Sequence, residues 1–333
     1  MLPSLVISRR SWPLRAPFRI SRGVKTAADT VMVEVRRGAA VGRGESVPYP
    51  RYGESVEAVV ALLETVAGPL EAGAADEALT AALPFGAARN ALDCALWDLR
   101  ARETGGSVAQ VTGLARPGRL ACALTVSLDE PEAMAAAAQA IADAPVIKIK
   151  LDGSLVEERL RAVGQAAPRS RLIIDANEGW TLDLLRDVSP LLARMNVALV
   201  EQPLPAGADE GLEGFDPPAP LCADESVHTV GQLAGLRGRY QAVNIKLDKA
   251  GGLTGAIALL AEARRLGFVV MTGCMVGSSL AIAPALHIAG ASDFADLDGP
   301  WWLASDWPGG VRIEGGWMAP PTPGFWGEPG ERV

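Results

Sequence analysis

Of the 31 basic residues in this 333-residue chain, only five are lysine: Lys25, Lys148, Lys150, Lys246 and Lys249. Arginine keeps its proton in a protein, whereas lysine can release one when its surroundings lower its pKa. The lysines are therefore candidates for places where an amine must lose and regain a proton. Composition bias that left a few lysines on edge strands is the plain alternative. Lys148 and Lys150 lie two apart in the β-branched run PVIKIKL (145–151). Strand side chains alternate faces, so both amines point the same way.

Lys150, Asp175, Glu201, Asp224 and Lys246 each close a short apolar run, at separations of 25, 26, 23 and 22 residues. One acidic strand end is as readily a helix N-cap. Five charged ends in phase, in the order amine, three carboxylates, amine, are not explained by capping. Three hard oxygen ligands without His or Cys suit one Mg²⁺ per chain, with Mn²⁺ as the alternative. A divalent ion can hold a substrate carboxylate and offset the charge that builds as the α-proton leaves. Two lysines on opposite sides of such a ring can remove a proton from one face of a carbon and return one to the other. That is a 1,1-proton transfer. It requires a lysine that is neutral near pH 7, and burial or a neighbouring ammonium lowers a lysine pKa; Lys148 beside Lys150 is such a neighbour. Lys249, three residues past Lys246, would not share a strand face with it and reads as structural.

The elements that must present these residues repeat regularly. Strand-like runs at 120–126, 145–151, 171–175, 197–201, 220–224, 242–246, 268–273 and 294–298 alternate with helix-like runs. Eight such units predict a closed parallel barrel with its active site at the C-terminal ends of the strands. An open doubly wound sheet is disfavoured, because no GxGxxG follows a strand. Residues 1–117 read as a separate α+β unit. Its expected parts are early strands, a connection over 15–25, a Gly-, Pro- and Tyr-rich loop over 42–55, and helices over 56–73 and 87–103. The barrel would then occupy 118–303, and the Trp-, Pro- and Gly-rich segment 304–333 would pack back on the first unit.

The bulk numbers narrow the class. A net charge of −8 gives no electrostatic footprint for nucleic acid. No apolar run reaches membrane-spanning length, and the first residues lack a signal-peptide pattern. Cys94, Cys122, Cys222 and Cys274 are widely spaced and read as buried thiols of a cytoplasmic protein. His228 and His287 show no ligand spacing: His228 reads as a supporting residue beside a ligand strand, and His287 as a packing residue. GxSxG and P-loop patterns are absent. Oligomeric state is unreadable from sequence, and a homo-oligomer is compatible with it.

The stretches KIK, IIDANEGW, VEQPLP, CADES and NIKLDKAGGL, with PYPRYGES, GAARNALDCALWDL and FADLDGP, resemble the enolase superfamily in its muconate-lactonising subgroup, over nearly the whole chain. Within that subgroup the resemblance is to the dipeptide epimerases. It implies a modified (β/α)₇β TIM barrel under an N-terminal α+β capping domain. It implies Asp175, Glu201 and Asp224 as metal ligands, Lys150 and Lys246 as the acid/base pair, and Lys148 as the pKa-lowering neighbour. The reaction implied is Mg²⁺-dependent epimerisation at the α-carbon of the C-terminal residue of a dipeptide, L-Ala-D/L-Glu in murein peptide metabolism. Asp296 and Asp298 would hold the dipeptide ammonium, and Lys25 a side-chain carboxylate. Thr125, Cys274, Met275, Gly277 and Tyr52 would line the pocket, with Asn177 and Glu225 orienting ligands. N-acylamino acid racemase, o-succinylbenzoate synthase and muconate cycloisomerase activities use the same ring. A non-catalytic metal-dependent ligand-binding barrel is the reading from another class.

Overall fold

The computed structural model describes residues 2–328. The chain opens with an antiparallel sheet of β1 (Ser4–Ile20), β2 (Gly23–Arg37) and β3 (Ala40–Ser46), in that spatial order. Val31, Val33 and Val35 alternate along β2 and point to one buried face. Against that face packs the helix Ala87–Thr104, which buries Ala88, Ala91, Leu92, Ala95 and Leu99 at helical spacing and stops at Gly105 in the left-handed region.

Three expectations for this unit change. Residues 42–46 are strand, where a loop was expected. Their glycines are there for contact: a Cβ on Gly42 would lie 2.1 Å from Ala95 O, and one on Gly44 2.1 Å from Ala91 O. The connection over 15–25 is the distal arm of one long hairpin. Pairing resumes after a register shift between Pro13 and Phe18 and runs to Ile20↔Gly23. The helix over 56–73 is two helices, Val56–Glu64 and Ala67–Glu71.

Eight parallel strands follow: β5 (Leu124–Val126), β6 (Val146–Lys150), β7 (Arg171–Asp175), β8 (Val197–Glu201), β9 (Leu221–Ala223), β10 (Ala242–Lys246), β11 (Val269–Gly273) and β12 (Phe294–Asp296). They pair in sequence order, and Ala123 N donates to Ala295 O at 2.8 Å, closing the barrel. The expected strand 120–126 is split. Its first part, β4 (Leu120–Ala121), leaves the barrel to pair with β14 (Trp317–Ala319), which pairs in turn with β13 (Arg312–Glu314). Helices cover the crossovers except that between β8 and β9, which has only the 3₁₀ turn Glu210–Leu212.

The period-2 pattern of the strands now has a cause. One set of positions, among them Ile147, Ile149, Leu172, Ile174, Val243 and Ile245, faces the surrounding helices. The other set faces the barrel axis. Its lower layer is apolar: Val146, Ile173, Leu199, Cys222, Ala242 and Met271 form one cluster. Two or four residues further along the same strands, on the same face, come the charged ends.

The chain then straps back to the first sheet. Trp326 Nε1 donates to Arg43 O at 2.8 Å, and Gly327 N to Asp98 Oδ1 at 2.8 Å. Leu303 forms a bridge with Leu14. Of the returning segment expected over 304–333, residues 329–333 lie outside the described residues.

Candidate active site

Parallel register sets Lys150 beside Asp175, and Asp175 beside Glu201, on β6, β7 and β8. Asp224 follows β9 and Lys246 ends β10. In the closed order three strands separate β6 from β10 on either side. The two lysines therefore face each other across the barrel mouth.

Above them a cavity of about 450 Å³ opens beneath the tip of the β1–β2 hairpin and the turn Pro50–Tyr52. Its wall includes Lys148, Lys150, Lys246, Asp224, Asp296 and Asp298. Lys25, Tyr52, Thr125, Asn177, Glu225, Cys274 and Met275 also line it. Asp175 and Glu201 lie behind that wall, fully buried. Gly277 does not reach the cavity. A Cβ there would meet Val47 at 2.9 Å, so this glycine is a close approach between the loop after β11 and the first unit, and the pocket-lining expectation is corrected.

The ion pairs are tight. Lys150 Nζ donates to Asp175 Oδ2 at 2.6 Å, and Lys246 Nζ to Asp224 Oδ2 at 2.7 Å. Lys148 Nζ stands among Asp175, Glu201 and Asp296 at 3.0, 2.6 and 2.6 Å. Burial would lower the Lys148 pKa, but these three carboxylates more than offset it and hold it well above the ordinary lysine value. Lys246 is likewise held high, burial being outweighed by Asp224 and Glu201. For these two amines, paired directly with carboxylates, burial does not set the direction. The same pairing acts on the acids. Burial pushes Asp175 and Asp224 up, yet the lysines around each bring it below the usual carboxylate range. Glu201 is pushed up by burial and by Asp175. Asp298 rises to about 6, through burial and its neighbour Asp296.

Among the described residues no three His, Cys, Asp or Glu side chains stand gathered around a metal position. The Lys148 ammonium sits between the oxygens instead. The donor set nevertheless fits a hard divalent cation: carboxylates only, on three consecutive strand ends. Glu201 Oε2 is buried and accepts no hydrogen bond among the described residues, its near neighbour being the Lys148 ammonium at 2.6 Å as an ion pair. Such an oxygen suits a cation.

Arg22, at the hairpin tip, donates to Asn177 O at 2.8 Å and Glu225 Oε1 at 2.8 Å, and Arg51 donates twice to Glu178, both at 2.7 Å. Both capping loops are thus tied to the loops after β7 and β9. Glu225 answers Arg22, where burial lowers the pKa but the Glu225 carboxylate and Tyr49 more than offset it and leave it raised. Asn177 donates its backbone N–H to Asp175 Oδ1 at 2.9 Å. Lys25 Nζ lies over the Tyr49 ring at 4.9 Å, its pKa lowered by burial. His228 packs edge-on against Tyr52 at 4.5 Å, and burial lowers it to about 4. His287 packs against Trp326 as expected, but its Nδ1 has no partner among the described residues.

Two site residues escaped the sequence reading. Asn244 donates to Glu201 Oε1 at 2.8 Å, and it lies two residues before Lys246, on the same strand face. Gln202, held at φ 33°, accepts from Asp224 N at 2.9 Å. The first was available from the period-2 pattern; the second depends on a turn that no spacing rule announces. Lys249 also belongs here. After Lys246 the chain enters the helical turn Leu247–Ala250, so a residue three further on returns to the same side, and the strand argument that set Lys249 aside does not apply.

An α+β cap over a closed parallel barrel, with charged strand ends at its C-terminal mouth, defines a class. Residues 132–329 match the family described as enolase C-terminal domain-like, and residues 3–113 match the mandelate racemase / muconate lactonizing enzyme N-terminal domain. The chain belongs to the enolase superfamily. It is 49% identical to L-Ala-D/L-Glu epimerase of Escherichia coli over 90% of this chain and 94% of that protein. N-acetyl-D-glutamate racemase of a Pseudoalteromonas species is 45% identical over 86% and 91%. Among solved structures, an Agrobacterium tumefaciens enolase family member with homology to dipeptide epimerases, with bound sodium and L-Ala-L-Glu, superposes with a TM-score of 0.95. It is 48% identical and covers 98% of this chain and 100% of that one.

Proposed function

We propose that this chain is a Mg²⁺-dependent dipeptide epimerase, an isomerase that inverts the α-carbon of the C-terminal residue of L-Ala-L-Glu or L-Ala-D-Glu. The observation that carries the reading is the placement of Lys150 and Lys246 on opposed strands, with the cavity between them. One amine, lacking its extra proton, takes the α-proton from its side: a C–H bond breaks and an N–H bond forms. The opposite lysine, as an ammonium, breaks an N–H bond to give a proton to the other face of the carbon and is left neutral, and the configuration inverts. Asp175, Glu201 and Asp224 hold the cation. Bound there, the cation supplies positive charge to the substrate carboxylate and so acidifies the adjacent C–H.

Asp296 and Asp298 lie on the cavity wall where a cationic group of the substrate is wanted. Asp298 Oδ2 is fixed by Thr125 N at 2.8 Å and Trp302 Nε1 at 3.2 Å, which leaves its other oxygen for the dipeptide ammonium. Lys25, at the cap side, takes the glutamate side-chain carboxylate. The rival within the superfamily is racemisation of an N-acyl amino acid, which has no ammonium for Asp298 to meet. We place the reaction in murein peptide recycling in the cytoplasm, a reading consistent with four free cysteines.

In D₂O with Mg²⁺, L-Ala-L-Glu is expected to exchange its glutamate α-proton and accumulate the D epimer, read by NMR. N-acetylglutamate is the parallel arm. Exchange on that compound with none on Ala-Glu overturns the dipeptide reading, and exchange on neither overturns the proton-transfer reading.

A further inference from the structure

Lys249 is a buried charge at the barrel mouth with no part in the chemistry above. Its side chain is 1% exposed and does not reach the cavity wall. An ammonium has three N–H donors. Here they meet Asp224 O at 2.6 Å, Asp224 Oδ1 at 2.6 Å and Asn244 O at 3.0 Å. All three acceptors belong to the chain, so the amine has nothing left for a substrate.

Asp224 is consequently held from several directions. Its N–H donates to Gln202, and its carbonyl and Oδ1 are gripped by Lys249. Oδ2 instead accepts from Lys246, and both residues line the cavity. Both ends of that grip sit just past a strand: Asp224 beyond β9, and Lys249 on the turn beyond β10. A carboxylate beyond its strand has lost the ladder that fixes its backbone. Lys249 replaces that constraint with a bond to the main chain and one to the side chain.

We propose that Lys249 is a positioning residue that fixes Asp224 as a cation ligand, presenting Oδ2 and locking Oδ1 away. The proposal rests on the reading of Asp175, Glu201 and Asp224 as the Mg²⁺ site. It sets two effects of opposite sign against each other. A buried ammonium near a divalent cation repels it, so its removal alone would tighten binding. A ligand that loses its orienting partner typically binds metal about 10- to 100-fold more weakly. The three short bonds to Lys249 favour the second effect.

The test is calorimetric titration of the full chain with Mg²⁺, without substrate, for wild type and Lys249→Met. A 10- to 100-fold weaker affinity in the variant is expected, about the loss usual for a ligand's orienting partner. Equal or tighter binding overturns the proposal. Lys249→Gln carries the same expectation and the same refutation if the Met variant does not fold. Met134→Ala, which opens a cavity beneath a barrel helix, controls for lost stability and is expected to bind Mg²⁺ as wild type does. An equal loss in that control marks the effect as general destabilisation and overturns the proposal. A wild type that takes up no Mg²⁺ overturns the reading of the site as well, whereas binding by wild type with no weakening in the Lys249 variants overturns the proposal alone.

Discussion

At the barrel mouth Asp175 and Asp224 are buried yet held ionised, each against two lysines. At the seam between the first sheet and the barrel, Glu45 and Asp248 are also buried, but their partners are neutral. Glu45 accepts from Ser278 N at 3.1 Å and Ser278 Oγ at 2.8 Å; Asp248 accepts from Val47 N at 3.0 Å and Asn90 Nδ2 at 2.8 Å. Burial pushes both to about 7. Depth is similar in the two places, so depth does not decide the charge. A full cation outweighs desolvation, whereas N–H and O–H dipoles offset only part of it. The mouth stores charge for chemistry, and the seam is an adhesive whose strength depends on protons.

The largest effect expected is at the mouth. Lys150→Met and Lys246→Met should each lower kcat for L-Ala-L-Glu by roughly 10²–10⁴-fold, the usual worth of a positioned acid or base, measured by polarimetry. Retained turnover in either variant would mean that the opposed amines are not the acid and base.

The seam should respond to pH. Its two acids have folded pKa values raised above the ordinary 4.5 and 3.8, so the proton binds the folded form more tightly. Their contribution is full below about pH 4 and is lost as pH rises through about 7. Each shift corresponds to on the order of 3–4 kcal/mol. Urea midpoints taken from pH 4 to 8 should therefore carry a falling component that Glu45→Gln and Asp248→Asn each reduce. No change in slope in either variant would break the contrast between the regions.

Ser278→Ala sharpens it. Removing one neutral donor from Glu45 should cost about 1 kcal/mol and carry the fall to higher pH, because that hydrogen bond lowers the Glu45 pKa. Least affected should be Arg169→Ala, which breaks a pair with Asp143 whose side chains are 81% and 89% exposed. Its thermal midpoint should match wild type, since an ion pair in water contributes little. A clear loss there would show that pairing counts even without burial.

Much of the mouth was legible in the chain because its signals are periodic. Lys150, Asp175, Glu201 and Lys246 end strands whose alternation fixes their side, and strand order fixes their neighbours. What escaped depended on short turns. Lys249 was set aside because a strand was extrapolated through Lys246, whereas one helical turn begins there. Gly42 and Gly44 read as loop signals because glycine marks both a turn and a place where two backbones touch, and only the Ala87–Thr104 helix tells them apart. The pairing of Lys148 was missed for another reason: spacing placed it beside Lys150, but three carboxylates from other strands gather on it.

The C-terminal strap bears on how this enzyme breathes. With the Trp326 indole hooked on the backbone of β3 and Gly327 pinned to Asp98, the lid's base is riveted to the vessel it covers. A wholesale hinge between the two halves would have to tear out those rivets. Admission and discharge of cargo then fall to the rim, where the hairpin tip and the Pro50–Tyr52 turn are clasped by polar side chains, Ser21, Arg22 and Arg51 among them.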